Sequence, residues 1–441
     1  MAKNVACFAL PLLCANLVQL LYSAADALFA GNVEGTAGIA AIGASSLAVT
    51  CVVSFLSGFS VGSNVLVASK RGAKDEEGLR RVFGTSVLLA LLMGALFCVV
   101  GIACSDVLEG LMAVPESVHD CALSYLRIYF LGMPAMALYN FGNAVLSAAG
   151  DTRRPLLYLL IAGILNVPLN LFFVIVCGMS ADGVALASIL TQYLSSILIL
   201  IALVRTQDAY GVRPKCIRLH RDKLAPLLTL CCSAGLQNAI FAVANLFIQA
   251  GVNSFDSLMV KGNSAAANAD GLIYDCMAAF YMACASFMSQ NYGAGRPDRV
   301  KKSYFISLGY SFGVGLVLGA ALFFCGPAFL ALFTTEAAVI DAGMKRVAVM
   351  AFAYCVSAFM DCTIAASRGL GKTVVPTVIV VLGSCVFRVI WVYTIFAHFH
   401  TIPALYLLYP CSWILTALAE IAYFASCYKR AMAIFRKPAA A

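Results

Sequence analysis

Apolar stretches of about 20 residues follow one another along almost the whole chain, and this feature limits the possible folds more than any other. Of the 441 residues, 62% are hydrophobic and 11% are charged, against about 25% charged in an ordinary soluble domain. Main-chain polar groups in hydrocarbon must be hydrogen-bonded within the protein, so only helices or closed barrels cross a bilayer. The stretches are long and continuous rather than short and alternating, which predicts an all-α polytopic membrane protein.

Hydropathy predicts twelve transmembrane helices, and the internal repeat described below predicts that they form two pseudo-symmetric six-helix lobes around a central cavity. The predicted domains are an N-terminal lobe (1–204), a basic cytoplasmic linker (205–223), a C-terminal lobe (224–428) and a basic cytoplasmic tail (429–441). Numbered in chain order, the predicted spans are 5–29, 38–67, 82–104, 121–147, 155–177, 183–204, 224–251, 263–289, 303–332, 344–367, 374–397 and 402–427.

The basic residues predict the orientation of the chain. If the N-terminus is cytoplasmic, 24 of the 29 lysines and arginines fall on cytoplasmic segments, a bias much larger than the positive-inside rule needs. Both termini are then cytoplasmic and the chain lies in the cytoplasmic (inner) membrane. The net charge of +8 is explained by this bias, so we expect no nucleic-acid partner.

The two halves of the sequence are copies of one another. A shift of 221 residues brings Gly72-Ala73 onto Gly293-Ala294 and Gly150-Asp151-Thr152 onto Gly371-Lys372-Thr373, without a gap between the two blocks. Six spans per copy give both copies the same orientation, and parallel repeats of this kind place a substrate site between lobes and suit alternating access. The repeat therefore predicts a transporter, and the absence of a GxxxxGK[ST] loop argues against an ATP-driven one.

Three motifs resemble those of one transporter family. Gln290-Asn291-Tyr292-Gly293-Ala294 resembles its Q-N-x-G-A signature, Arg368–Pro376 resembles its R-G-x-G-[DK]-x-x-x-P segment after span 10, and Ala149–Pro155 is similar to the counterpart after span 4. Ser264–Asn268 also opens span 8 as in that family. The chain is accordingly identified as a member of the multidrug and toxic compound extrusion (MATE) family. This resemblance implies a secondary exporter that exchanges inward H⁺ or Na⁺ for outward drugs, toxins or metabolites, with amphiphilic organic cations expected.

An acidic residue in span 1 is the expected coupling site. Asn16, Gln19, Ser23 and Asp26 form one stripe of a helix, and an ionisable group inside a span is a functional candidate by default. Span 5 offers Asn166 and Asn170, and span 6 offers Ser188. These oxygens suit Na⁺, whereas the carboxylate alone suits a proton. A solvated position for Asp26 near the outer interface is the alternative.

The family resemblance implies the same site. One branch of the family binds its cation with an Asp of span 1, an Asn and an Asp of span 5, and a hydroxyl of span 6. Asn166 matches the first of the span 5 residues, whereas Asn170 replaces the second and leaves Asp26 as the sole carboxylate. The resemblance also implies that Pro11 in span 1 permits bending during transport; a merely structural kink is the alternative.

Further polar and aromatic side chains are expected to line the substrate cavity, with interhelical hydrogen bonding and ordinary packing as the alternatives. Arg388 in span 11 needs a partner because an unpaired cation there is costly, and Asp275 or Asp361 is expected to form an ion pair with it; Glu420 is read as a cavity or lobe-interface residue. The expected cavity residues are Asn16, Gln19, Tyr22, Ser23, Tyr139, Asn238, Asn245, Gln249, Tyr274, Phe280, Tyr281 and Trp391.

Two alternatives stay open at this point: a flippase for lipid-linked oligosaccharides of the same superfamily, and an exporter of narrow metabolite specificity. An enzyme is disfavoured because the four histidines lie in loops or at span ends and no Cys/His spacing suits a metal. We therefore expect no catalytic residue, no metal and no cofactor, only H⁺ or Na⁺ as the coupling ion. The expected partners are a small-molecule substrate and the lipid bilayer, and a monomer is the default.

Overall fold

The computed structural model describes the main chain of residues 1–34, 36–111, 119–179, 181–206, 211 and 217–436. Within these ranges the side chains of 22–34, 36–44, 46, 47, 111 and 436 are outside the description. The described residues are helical almost throughout, and no strand occurs among them. The all-α prediction is confirmed.

Ten described helices are long and apolar enough to cross a membrane, and there are twelve if each of two bent pairs counts as one span. The numbering of the predicted spans is kept. Their observed bounds are Ala2–Glu34, Thr36–Gly72, Glu76–Ala103, His119–Leu131 with Met133–Ala148, Arg153–Leu171, Ala181–Arg205, Arg221–Asn253, Ser257–Gly293, Pro297–Leu330, Ala337–Met350 with Tyr354–Gly369, Val374–Phe399, and Ile402–Tyr406 with Leu408–Arg436. A short helix, Ser105–Leu111, follows span 3.

Spans 4 and 10 were predicted as single helices, but each is broken near its middle. The two halves meet at 44° in span 4 and at 52° in span 10. In span 4 the break lies at Gly132, and Pro134 in the first turn of the second half has no N–H to continue the first half. In span 10 the chain tightens to an i→i−3 hydrogen bond, from Ala353 N to Met350 O at 2.9 Å. The two breaks fall at the same place in the 221-residue repeat.

Backbone details repeat in the same register. Gly150 and Gly371 have positive φ angles of +85° and +74° and end equivalent helices after spans 4 and 10. Lys74 and Gly295, also equivalent, have φ angles of 55° and 66°. Positive φ is the left-handed region that a residue with a Cβ enters at a cost. The repeat read from the residues is therefore a repeat of backbone conformation as well.

Spans 5 and 11 both contain wide, π-helical turns. Span 5 continues as a π-helical turn over Phe172–Val176, and span 11 has one over Val392–Phe396 at the same place in the repeat to within one residue. Span 11 has a second over Val381–Val386, so the five residues Phe387–Trp391 lie between two such turns. Turns of this type occur frequently at functional sites.

The helices divide into two compact units. The N-terminal unit is Cys14–Ala239, and the C-terminal unit is Met1–Leu13 with Ile240–Ala441. This division falls inside spans 1 and 7 and thus differs from the predicted lobe boundary in the linker 205–223. Spans 1 and 7 are themselves equivalent in the repeat, and each contributes residues to both units.

Each unit has its own apolar core. In the N-terminal unit, spans 2, 3, 4 and 6 contribute residues such as Phe59, Phe83, Phe141 and Leu203 to one buried cluster. In the C-terminal unit, Phe8 of span 1 packs with Phe280 of span 8. A second cluster there joins spans 7, 8, 10, 11 and 12. These clusters fix the helices that carry the buried polar groups described next.

We expect Gly319→Ala to destabilise the C-terminal unit. A Cβ at Gly319 in span 9 would clash with the main-chain oxygen of Ala351 in span 10, so the backbone would have to move. Overpacking of this kind costs about 1–3 kcal/mol, which should lower the melting temperature of the purified protein in detergent. Gly313→Ala is the matched control on the same helix, because a Cβ there meets nothing within 4 Å; equal melting of the two variants would contradict the packing.

Candidate functional site

Two asparagines and a serine of the predicted coupling site lie together in the N-terminal unit. Asn170 Nδ2 donates to Asn166 Oδ1 at 2.9 Å, and Asn166 Nδ2 donates to Ser188 Oγ at 3.5 Å. Asn170 is 0% exposed, Asn166 is 1% exposed and Ser188 is 5% exposed. Side-chain amides at i and i+4 share a helix face, and span 6 packs its hydroxyl against that face. The sequence predicted this convergence; its role as a coupling site stays a prediction.

The remaining residues of that prediction are only partly described. The side chains of Tyr22, Ser23 and Asp26 lie outside the described residues. Asn16 and Gln19 are half-buried in the N-terminal unit. Span 1 is helical through Pro11 from Ala2 to Glu34, so bending at Pro11 also stays a prediction.

Three of the predicted cavity aromatics take part in packing. Tyr139 is buried in the core of the N-terminal unit and donates to Pro155 O at 3.3 Å. Phe280 stacks on Tyr310 with ring centroids 5.5 Å apart. Trp391 donates its Nε1 hydrogen to Ala404 O at 2.7 Å.

Two tyrosines of span 8 are placed differently. The rings of Tyr274 and Tyr281 meet edge to face, with centroids 6.1 Å apart. Tyr281 is buried, whereas Tyr274 is 43% exposed. Tyr274 is therefore the predicted cavity aromatic that is most open among those whose side chains are described.

The polar residues of span 7 differ in exposure. Asn238 is half-buried, whereas Asn245 and Gln249 are exposed. Gln249 Nε2 donates to Asn253 Oδ1 at 2.8 Å along the same helix. Gln249 is thus hydrogen-bonded within its own helix, and the role of all three residues in lining a cavity stays a prediction.

Arg388 does not form the predicted ion pair. Its Nε donates to Ser412 Oγ of span 12 at 3.1 Å, and neither Asp275 nor Asp361 reaches ion-pair distance of it in the described part of the chain. The guanidinium carbon instead lies 4.7 Å from the ring centroid of Tyr409. Aromatic faces attract a cation, and this attraction replaces the carboxylate that sequence reasoning required.

A second buried arginine was missed by the sequence prediction. Arg346 Nε of span 10 donates to Asp270 Oδ2 of span 8 at 2.8 Å, and its Nη1 donates to Asn263 Oδ1. Tyr354 and Tyr406 donate hydroxyl hydrogens to Asp270 and Asn263, respectively. The signal was available: Asp270 is a carboxylate inside predicted span 8, which is where a buried partner is expected.

Glu420 of span 12 is fully buried, at 0% exposure. Neither of its carboxylate oxygens has a hydrogen-bond partner among the described residues. As for metals, no group of three or more His, Cys, Asp and Glu side chains that could hold an ion is found in the described ranges.

The comparison with known proteins gives the family. The profile of the family called MatE matches residues 11–172 and 234–394, one segment in each half of the repeat. The chain belongs to the MatE family. It is therefore a multi-pass membrane protein of a multidrug-efflux family, and it moves a solute rather than converting one. The resemblance drawn from the motifs is confirmed.

Individual relatives agree with this assignment. This MatE protein is 29% identical to the probable multidrug resistance protein YpnP of Bacillus subtilis over 68% of the chain and 66% of that protein. It is 25% identical to a FAD transporter of Shewanella oneidensis over 75% of the chain and 74% of that protein. Its fold matches a crystal structure of MATE in the bent conformation with a TM-score of 0.90 at 20% identity, covering 99% of this chain and 97% of that one.

We expect Asp270→Asn to destabilise the C-terminal unit, because it leaves Arg346 as a buried cation without its anion. Breaking a buried pair from one side costs about 3–5 kcal/mol, which thermal unfolding of the purified protein in detergent would register. Asp270→Asn with Arg346→Gln should recover part of the loss. Glu77→Gln, which breaks the exposed pair with Arg81, is the control and should leave the melting temperature unchanged; a loss as large as that of Asp270→Asn would refute the distinction.

Proposed function

We propose that this protein is a cation-coupled antiporter that exports amphiphilic small molecules across the cytoplasmic membrane. The observation that carries the coupling is the buried cluster of Asn166, Asn170 and Ser188, together with the only acid of predicted span 1, Asp26. Amide and hydroxyl oxygens with a carboxylate are ligands suited to a hard cation such as Na⁺, and the carboxylate alone suits a proton. Family membership supports export.

The coupling follows from linkage. A cation that binds at Asp26 from outside neutralises the one negative charge of the site, and the conformation that binds it better becomes more populated. We propose that this conformation has span 1 bent near Pro11 and the substrate cavity reduced, so that substrate leaves outward. Release of the cation to the cytoplasm returns the protein to the cation-free conformation, and the transport cycle can begin again.

The cargo is proposed to be a small organic compound rather than a lipid-linked sugar. Relatives of this chain are named as multidrug resistance proteins and as a FAD transporter, which supports soluble amphiphiles. Aromatic faces would favour an organic cation, but Tyr139, Phe280 and Trp391 are committed to packing in the structure. Aromatic content alone therefore does not select the charge of the cargo.

We expect Asp26→Asn to abolish gradient-driven export. Dye efflux from everted or reconstituted vesicles, with a pH gradient and a Na⁺ gradient applied separately, would name the ion in the wild type. The variant keeps the shape of the side chain and loses its charge, so transport should fall to the rate without a gradient. Full activity of Asp26→Asn would remove Asp26 as the coupling residue.

Asn166→Ala should weaken the response to the coupling ion while the protein still folds. If Na⁺ couples, loss of one oxygen ligand raises the Na⁺ concentration for half-maximal export. The increase should be about tenfold, which corresponds to the free energy of one hydrogen bond to a charged group. The same vesicle assay at varied Na⁺ measures this. Asn268→Ala, at an exposed asparagine, is the matched control; equal behaviour of the two variants would show that the cluster is structural.

A further inference from the structure

The two buried arginines of the C-terminal unit differ in their partners. Arg346 reaches a carboxylate, a side-chain amide and two aromatic rings. Arg388 is 2% exposed, yet its one hydrogen bond goes to the hydroxyl of Ser412, and its Nη2 is buried with no partner in the described part of the structure. Buried charges are otherwise paired or fully hydrogen-bonded. Arg388 thus has donor capacity that the described protein groups leave unused.

Three aromatic rings surround this guanidinium. Its central carbon lies 4.7 Å from the ring centroid of Tyr409, 5.6 Å from that of Phe241 and 5.9 Å from that of Trp413. All three distances are within the range of about 6 Å for cation–π attraction. Trp413 is buried, but Phe241 and Tyr409 are half-buried. The group of three rings is therefore not fully enclosed on the side of Phe241 and Tyr409. The rings hold the arginine in place without neutralising its charge.

The position of Arg388 along span 11 also points to function. It lies in the five-residue helix Phe387–Trp391 between two π-helical turns, and turns of this type are rare and occur frequently at functional sites. Asp361 lies near enough to act on Arg388 electrostatically, but no ion pair joins the two in the described part of the chain. The guanidinium is therefore positioned by the helix, and the unused donor capacity of its buried Nη2 is left for another molecule.

We propose that Arg388, with the rings of Phe241, Tyr409 and Trp413, binds the acidic group of a planar substrate. The guanidinium fork fits a carboxylate or phosphate with two parallel hydrogen bonds, and the half-buried rings contact the flat body of the same molecule. This inference rests on the proposed export function and names its substrate class: flat amphiphiles that carry a carboxylate or a phosphate. An organic cation is repelled at this position.

The test is equilibrium binding to the full-length protein in detergent, without any gradient. Two fluorescent pairs differ in the acidic group: riboflavin 5′-phosphate against riboflavin, and rhodamine B against its ethyl ester. Wild type should prefer the acidic member of at least one pair by about 10- to 100-fold, the range for a charge-assisted hydrogen bond. Fluorescence polarisation gives the four dissociation constants, and the pair that shows the preference says whether phosphate or carboxylate is bound.

Variants assign the preference to Arg388. Arg388→Gln should remove it, Arg388→Lys should retain part because the charge stays but the fork is lost, and Arg153→Gln, at an exposed arginine, should leave it intact. No preference in the wild type for either pair, or an unchanged preference in Arg388→Gln, would overturn the proposal. If Arg388→Gln does not fold, the wild-type preference and its partial loss in Arg388→Lys decide.

The outcome is separable from that of the export proposal. Asp26→Asn should keep the binding preference while it loses gradient-driven export, because binding in detergent needs no coupling ion. A preserved preference with failed export in the wild type would count against the antiporter alone. Gradient-driven export with no preference for the acidic probes would count against the Arg388 site alone.

Discussion

The structure depends on one constraint: polar groups inside a hydrocarbon layer must find their partners within the protein. The main chain meets it by helix formation in every described span. Where helices break, the break is brief and the hydrogen bonding resumes at once, as at Gly132 in span 4. Side chains meet the constraint in pairs and clusters, and Arg346 with Asp270 is the fullest example. Arg388 meets it least completely, through aromatic faces and one hydroxyl.

Helices that are held this way must also approach one another closely, and small residues permit it. Gly58 and Gly62 of span 2 lie against the main chain of span 7 within the N-terminal unit. Gly262 and Gly343 bring spans 8 and 10 into backbone contact beside Asn263 and Arg346, so the polar network and the close approach stabilise the same place. Because lipid provides no hydrophobic driving force for helix association, such close packing and hydrogen bonding hold each unit together.

Sequence reasoning predicted the helices from hydropathy, the repeat from its constant register and the family from short motifs. The convergence of Asn166 and Asn170 with Ser188 followed from their i, i+4 spacing together with the family resemblance. Sequence reasoning did not predict the breaks in spans 4 and 10, since a bend inside an apolar run leaves hydropathy unchanged. It assigned the wrong partner to Arg388, because residue type shows a need for a partner but not which helix supplies it. Asp270 was passed over although the same rule would have found it.

The wide turns of spans 5 and 11 bear on the history of the chain. A π-helical turn holds one residue more than the helix around it, and such an extra residue shifts every side chain beyond it around the helix. The turns Phe172–Val176 and Val392–Phe396 occupy the same place in the two copies. The simplest history is one insertion in an ancestral six-helix gene, before that gene was duplicated and fused. The second turn, Val381–Val386 next to Arg388, has no counterpart among the described residues of span 5, so the side chains just beyond it, Arg388 included, are turned around the helix axis relative to their equivalents in span 5.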